Sequence, residues 1–271
     1  MVTQIALVDG ASSPLERASL AITDAGVARG DGAFETVGIW DGAPFRLDDH
    51  LERLDRSLRS IGLSPAPSAV LRDDIARVLD GQRGDGALRL FVTATGTRIV
   101  TVTEPPARAT LRRLVSQPAP WIRPLGSYGP ASAKTMSYGP NMAASRAAQA
   151  AGGDDALLIS LEHLVLEGPT FTVLWIRDGE LYAPALDLGL VDSISRRSIV
   201  ELAVADGTVC HTGDYERDAV LSADEVLTCS SVRPVHPLAS IDRCELPTAT
   251  PVTNRLAAAL DHWRRGRGDG P

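Results

Sequence analysis

The chain has 271 residues, of which 44% are hydrophobic and 23% charged, and a formal net charge of −7. That length and apolar content suit one large or two modest domains with a sizeable buried core. The acidic balance argues against a nucleic-acid partner, and the longest uncharged run, residues 60–71, is only 12 residues long and holds Pro65 and Pro67, short of the roughly 18 apolar residues of a membrane span. In chain order, residues 5–8 and 34–40 read as strands, with Asp41-Gly42 as a hairpin turn to a further short strand. Residues 48–61 read as an amphipathic helix, with Leu51, Leu54, Leu58 and Ile61 on one face and Arg and Asp opposite. A second helix spans 69–79, and strands follow at 88–95 and 111–116. Residues 117–130 hold four prolines and two glycines and read as an interdomain linker. Beyond it come a helix at 141–151, strands at 156–160, 165–167, 171–176 and 180–182, and a hairpin turn at Arg177-Asp178-Gly179. A helix at 194–205 with Asp192 or Ser193 as N-cap and a strand at 225–229 complete the series. The stretch 264–271 reads as a frayed tail. The expectation is a mixed α/β (α+β) chain with domains at 1–116 and 131–271.

The N-terminus lacks the basic region of a signal peptide, and Cys210, Cys229 and Cys244 are odd in number, widely spaced and outside any metal-ligand pattern. A reduced, cytoplasmic protein without a metal site is expected.

The cationic residues are 26 arginines and a single lysine, Lys134. GC-rich coding explains the arginines but leaves open why one lysine survives. A primary amine can lose its proton near neutrality and condense with a carbonyl, whereas guanidinium cannot. An aldehyde cofactor would need such a lysine, a carboxylate for a ring nitrogen and donors for a phosphate. Glu167, at the end of an apolar strand before Gly168-Pro169, is a candidate carboxylate or a solvated turn residue. Ser193, Ile194 and Ser195 open a helix, which is either a phosphate site or a plain cap. Ser230 and Ser231 offer similar donors after a strand, and Arg53 lies beside His50 on the polar side of its helix.

The order of these pieces is more specific than any one of them. Gly30-Asp31-Gly32-Ala33-Phe34-Glu35-Thr36, then His50-Leu51-Glu52-Arg53-Leu54 with Ser57, then Lys134, Glu167-Gly168, Ser193-Ile194-Ser195-Arg196, Ala223-Asp224-Glu225-Val226 and Ser230-Ser231 form one series. It resembles the fold-type IV pyridoxal-phosphate enzymes, which include D-amino-acid and branched-chain aminotransferases and aminodeoxychorismate lyase, over about residues 4–242. The resemblance implies a small N-terminal α/β domain, a larger C-terminal pseudo-barrel domain, pyridoxal 5'-phosphate as cofactor and a homodimer. It implies that Lys134 forms the Schiff base and shuttles a proton, that Glu167 keeps the pyridine nitrogen protonated, and that Arg53, Ser193, Ile194, Ser195, Ser230 and Ser231 serve the phosphate. Tyr138 is expected near the cofactor. Thr172, Ser193 and Gly38 depart from the family's usual Asn, Gly and Arg.

A transaminase must also hold a carboxylate, for which arginine is the natural device. Arg29 stands where the family often has an aromatic, as in an atypical group of D-amino-acid transaminases; Arg89 lies in an apolar strand, and Arg98 in what reads as the next loop. The implied activity is transfer of an amino group from a D-amino acid such as D-alanine or D-glutamate to a 2-oxo acid. Aminodeoxychorismate lyase, a branched-chain L-amino-acid aminotransferase and a non-enzymatic paralogue are the alternatives.

Overall fold

The computed structural model describes residues 2–106, 112–124, 132–266 and 270. The chain divides into two units, Met1–Arg108 with Ala133–Tyr138, and Ala109–Ser132 with Gly139–Pro271.

In the first unit, β1 (Ile5–Val8) turns through Asp9 and Gly10, both at positive φ, into β2 (Ala11–Pro14), the backbone geometry a tight hairpin requires. The short helix α1 (Ala25–Arg29) is capped by Asp24 and ended by Gly30 at φ +67. Strand β3 (Gly32–Trp40) returns through Asp41-Gly42 as β4 (Ala43–Pro44). Helices α2 (Leu47–Ser60) and α3 (Ser68–Leu79) follow, then β5 (Gly86–Thr93) and β6 (Arg98–Thr103). The six strands form an antiparallel sheet in the order β2-β1-β6-β5-β3-β4. Side chains alternate between its faces. Val37, Ile39, Leu88, Leu90, Val92, Val100 and Val102 point to one face and pack with Leu51, Leu54, Leu58, Ile75 and Val78 of the two helices. The opposite face of β3 and β5 carries the half-buried Phe34, Thr36, Arg89 and Phe91.

The second unit begins with β7 (Arg113–Pro118) and continues with α4 (Gly139–Ala150), β8 (Asp155–Ile159), β9 (Thr172–Arg177) and β10 (Glu180–Pro184). Next come α5 (Ile194–Ala205), β11 (Cys210–Gly213), α6 (Arg217–Leu221) and β12 (Glu225–Cys229). The short strands β13 (His236–Pro237), β14 (Ser240–Ile241) and β15 (Cys244–Glu245) lead into α7 (Pro251–Arg264). One sheet runs β11-β10-β9-β12-β13 and another β15-β14-β7-β8. The first is centred on β9, whose residues Thr172 to Ile176 are all buried. The mixed α/β class expected from the sequence is the one the chain adopts.

Several boundaries differ from the sequence reading. Residues 117–124 do not act as a linker: 117 and 118 end β7, Ala119 N–H donates to Ile159 O, and Trp121 packs against an aliphatic cluster with Leu158, Leu166 and Leu188. Residues 125–130 of the expected linker, residue 111 of the expected strand, and 267–269 and 271 of the expected tail lie outside the described residues. Lys134 belongs to the first unit, because residues 133–138 run along β3 through an antiparallel bridge between Ala33 and Thr135. Residues 165–167 form no strand; they turn back on β8 by hydrogen bonds between Leu158 and both Leu166 and Glu167. Arg98 opens β6 rather than lying in a loop, and Arg264 ends α7 rather than belonging to a tail. Thr253, Leu256, Leu260 and Arg264 form the buried stripe of α7, at helical spacing after Pro251.

Among the described residues no helix is long and apolar enough to cross a membrane, and no cluster of His, Cys, Asp or Glu could hold a metal ion.

Candidate active site

The first unit fixes Lys134 from both ends of its backbone. The Lys134 N–H donates to Ser57 Oγ of α2 at 3.1 Å, and its carbonyl accepts the Phe34 N–H of β3 at 3.0 Å. The half-buried side chain brings Nζ to 3.2 Å from Tyr138 Oη and 4.4 Å from the centre of the Phe34 ring. Phe34 and Tyr138 meet edge to face at 5.1 Å. A flexible amine is thereby held between two aromatic groups, with one hydroxyl partner to orient it.

Glycines let this segment approach so closely. At Gly30, at φ +67, a Cβ would stand 2.7 Å from Ser137 Oγ, and at Gly32 it would meet the Val92 carbonyl at 2.6 Å and Met136 Sδ at 2.8 Å.

Behind Lys134, α2 and β3 bury three charged or titratable groups, of which the sequence reading placed His50 and Arg53 on a polar helix face. Glu35 is fully buried; Arg53 Nε and Nη2 donate to its two carboxylate oxygens at 2.7 Å each, and His50 Nδ1 lies 2.7 Å from Oε2. Because a carboxylate only accepts, Nδ1 carries the proton. Burial by itself would raise the Glu35 carboxyl, but Arg53 and His50 outweigh it and hold it well below the usual carboxylate range. Burial holds the His50 imidazole below its ordinary value, against the pull of Glu35. The spacing of 50, 53 and 57 matches the apolar stripe of α2, a signal that these polar residues are buried with it. Arg53, expected at a phosphate, thus has two of its donors engaged by Glu35.

The three candidate carboxylate-binding arginines separate by face. Arg89 on β5 stands opposite Thr36 on β3, one pleat from the pair Phe34 and Phe91, whose rings stack at 5.7 Å. It therefore shares a sheet face with Lys134 Nζ. Nη1 donates to Thr103 Oγ1 at 3.0 Å, and burial lowers the guanidinium from its ordinary value. Arg29 is exposed on the wall of a pocket of about 290 Å³ with Gly30, Asp31, Gly32, Ile61, Thr135 and Ser137. Arg98 is paired with Val92 across β5 and β6, so it turns to the helix-covered face. There Nε donates to Asp74 Oδ2 at 3.4 Å and Nη1 lies 3.7 Å from Asp9. Arg98 thereby links the turn after β1, β6 and α3, since pleating sends alternate residues to opposite faces.

The second unit carries the other expected groups. Glu167 ends a segment fixed by Gly168, where a Cβ would fall 2.1 Å from the Phe171 ring. Its Oε1 accepts the Val191 N–H at 3.4 Å. Burial lowers the neighbouring Arg196 guanidinium, with the charges of Asp192 and Glu167 opposing that shift. Ser193 is the N-cap of α5, its hydroxyl accepting the Arg196 N–H at 3.2 Å. The N–H groups of Ile194 and Ser195 then precede any intrahelical acceptor, at the positive end of the helix dipole. Ser230 Oγ accepts the Arg233 N–H at 3.2 Å, and Ser231 follows it, partly exposed.

The sequence reading missed Arg264. It is buried, and donates to Ser230 O at 2.8 Å, Arg233 O at 3.3 Å and Ser195 Oγ at 3.4 Å. Burial lowers its guanidinium to about 10, against the influence of Cys229 and Asp261.

The donor set fits a phosphorylated aldehyde cofactor. The first unit offers one amine beside aromatic rings. The second offers a half-buried carboxylate and a helix N-terminus with adjacent hydroxyls, which suits a phosphate dianion.

Comparison with known proteins agrees with this chemistry. The family model for amino-transferase class IV matches residues 32–241. An aminodeoxychorismate lyase of Bacillus subtilis is 29% identical over 87% of this chain and 86% of its own length. A D-alanine aminotransferase of Bacillus licheniformis is 27% identical over 92% of this chain and 93% of its own. A solved fold IV transaminase from Curtobacterium pusillum superposes with a TM-score of 0.90 at 26% identity, covering 98% of this chain and 100% of that one.

Proposed function

The chain belongs to the class IV aminotransferases, and we propose that within them it moves the amino group of D-amino acids, such as D-alanine or D-glutamate, to 2-oxo acids. Its cofactor is pyridoxal 5'-phosphate, as in the family and in its solved neighbours. When bound, that group supplies an electron sink for the pair left when the substrate Cα loses its proton.

The observation that carries the proposal is the common sheet face of Arg89, Phe34 and Lys134. In this reading Lys134 Nζ holds the cofactor and takes the proton from the substrate Cα, with Tyr138 Oη orienting the amine. Arg89 and Arg29 bind the substrate carboxylates, for which a planar guanidinium fork is suited. Glu167 keeps a proton on the ring nitrogen. Ser193, Ile194, Ser195, Ser230 and Ser231 receive the phosphate, as does Arg53, whose guanidinium is braced by Glu35. The likeness to a D-alanine aminotransferase over nearly the whole of both chains supports the choice of substrate. A cytoplasmic homodimer is part of the same reading.

The likeness to an aminodeoxychorismate lyase favours one second reading, in which the same Lys134 serves release of pyruvate and 4-aminobenzoate. A half-reaction separates the two. The cofactor-loaded protein is mixed singly with D-alanine, D-glutamate, L-leucine and L-glutamate, and its visible band is followed. Bleaching by the D-amino acids alone supports the proposal, and bleaching by L-leucine replaces it with a branched-chain activity. A persistent band together with 4-aminobenzoate formation from aminodeoxychorismate replaces it with the lyase.

A further inference from the structure

Arg264 is the last residue of α7, and its side chain reaches two segments far from it in sequence. One is the first turn of α5, through Ser195 Oγ; the other is the turn after β12, through the carbonyls of Ser230 and Arg233. The Arg233 N–H in turn closes that turn on Ser230 Oγ, and Arg233 Nη1 donates to Thr170 Oγ1 at 3.2 Å. A rigid guanidinium thus spans the two serine-bearing segments from below. These three hydrogen bonds all go to neutral oxygens, so a planar fork fixes the spacing of the two segments.

We propose that Arg264 is a positioning residue for the cofactor's phosphate: it straps the Ser230–Arg233 turn to the first turn of α5, and so sets the spacing at which Ser195 and Ser231 receive the anion. This rests on the reading of those serines as the phosphate site. Lysine in its place keeps the charge but lacks the fork that reaches Ser195 and both carbonyls together, so Arg264→Lys must fail almost as badly as Arg264→Met.

The test compares two ligands that differ only in the phosphate. Pyridoxal 5'-phosphate and pyridoxal are titrated into cofactor-stripped wild-type, Arg264→Lys and Arg264→Met protein, with binding read from the visible band and folding from thermal melts. The expected result is a loss of pyridoxal 5'-phosphate affinity of about tenfold or more in both variants, the size of lost hydrogen bonds to a charged group, with pyridoxal affinity unchanged. Stabilisation of the stripped protein by inorganic phosphate should fall in parallel. Equal losses for both ligands, or no loss for either, overturn the proposal, as does full affinity in Arg264→Lys. If Arg264→Met does not fold, Arg264→Lys decides alone by the same ratio. If wild-type protein binds pyridoxal as tightly as its phosphate, the phosphate site itself is misread, an outcome separate from failure of Arg264 and one that removes the basis of the proposal.

Discussion

Arg53 and Glu35 meet through two hydrogen bonds of 2.7 Å, from Nε to Oε1 and from Nη2 to Oε2, inside the sheet–helix core of the first unit. Glu35 is wholly buried, and its neighbour in sequence, Phe34, lies beneath the amine of Lys134 on the other face of the same strand. The charged brace at Glu35 and the ring beneath the Lys134 amine are thus adjacent residues of β3.

Breaking that brace leaves a buried charge without its partner. Glu35→Gln should cost about 3–5 kcal/mol, read as a lower urea midpoint. The pH dependence has a definite sign. Glu35 and His50 both titrate lower in the fold than their ordinary values of 4.5 and 6.5. The unfolded chain then binds more protons, so stability falls as pH drops below about 6.5 and falls again below about 4.5. His50→Gln should flatten the upper of these two limbs; an unchanged profile in that variant would show that His50 is not its source.

Replacing Lys134 by alanine should remove turnover by about a thousandfold or more, together with the visible band of the bound cofactor. Arginine there should do no better, because guanidinium does not lose its proton. Substantial activity in Lys134→Arg would remove the lysine from the chemistry.

The two faces of β5 and β6 predict opposite outcomes for two arginines. Arg89→Ala should raise KM for amino acids about tenfold or more, as for loss of a charge-assisted contact, and leave the cofactor band in place. Arg98→Ala should leave KM unchanged and lower the melting temperature through its lost ties to Asp9 and Asp74, worth about 1 kcal/mol. A KM effect in Arg98→Ala and none in Arg89→Ala would reverse the assignment of faces.

Gly168 has no room for a methyl group, since its Cβ would stand 2.1 Å from the Phe171 ring. Gly168→Ala should destabilise the protein by about 1–3 kcal/mol. It should also weaken cofactor retention, because Glu167 is displaced with it. Adding Phe171→Leu should restore part of the stability, and a double variant no better than the single one would show that the ring is not the obstacle.

The thiols differ enough to be ranked by alkylation. Cys244 is exposed, Cys210 is half-buried with its thiol raised by burial, and Cys229 is buried with its thiol pushed up to about 12. Timed labelling with mass spectrometry should modify Cys244 first and Cys210 later, with Cys229 reacting only in denaturant.

The order of chemical groups along the chain was legible without coordinates. A single lysine among 26 arginines, the Gly30-to-Thr36 run and the Ser193 cap are local statements, since each depends on residue type and short-range spacing. The cap formed as read, because a serine before an apolar-periodic segment satisfies helix N–H groups wherever that helix packs. What the sequence left open was partnership at a distance. Strand pairing decided that Arg89 shares a face with Lys134 while Arg98 does not, a choice fixed by the register of β5 against β3 and β6. Packing of α2 on β3 turned Arg53 and His50 inward to meet Glu35, 18 and 15 residues away. Arg264 reached Ser195 across 69 residues of sequence. Periodicity tells which side of an element is buried; which charges meet there depends on tertiary packing, and only the folded chain supplies it.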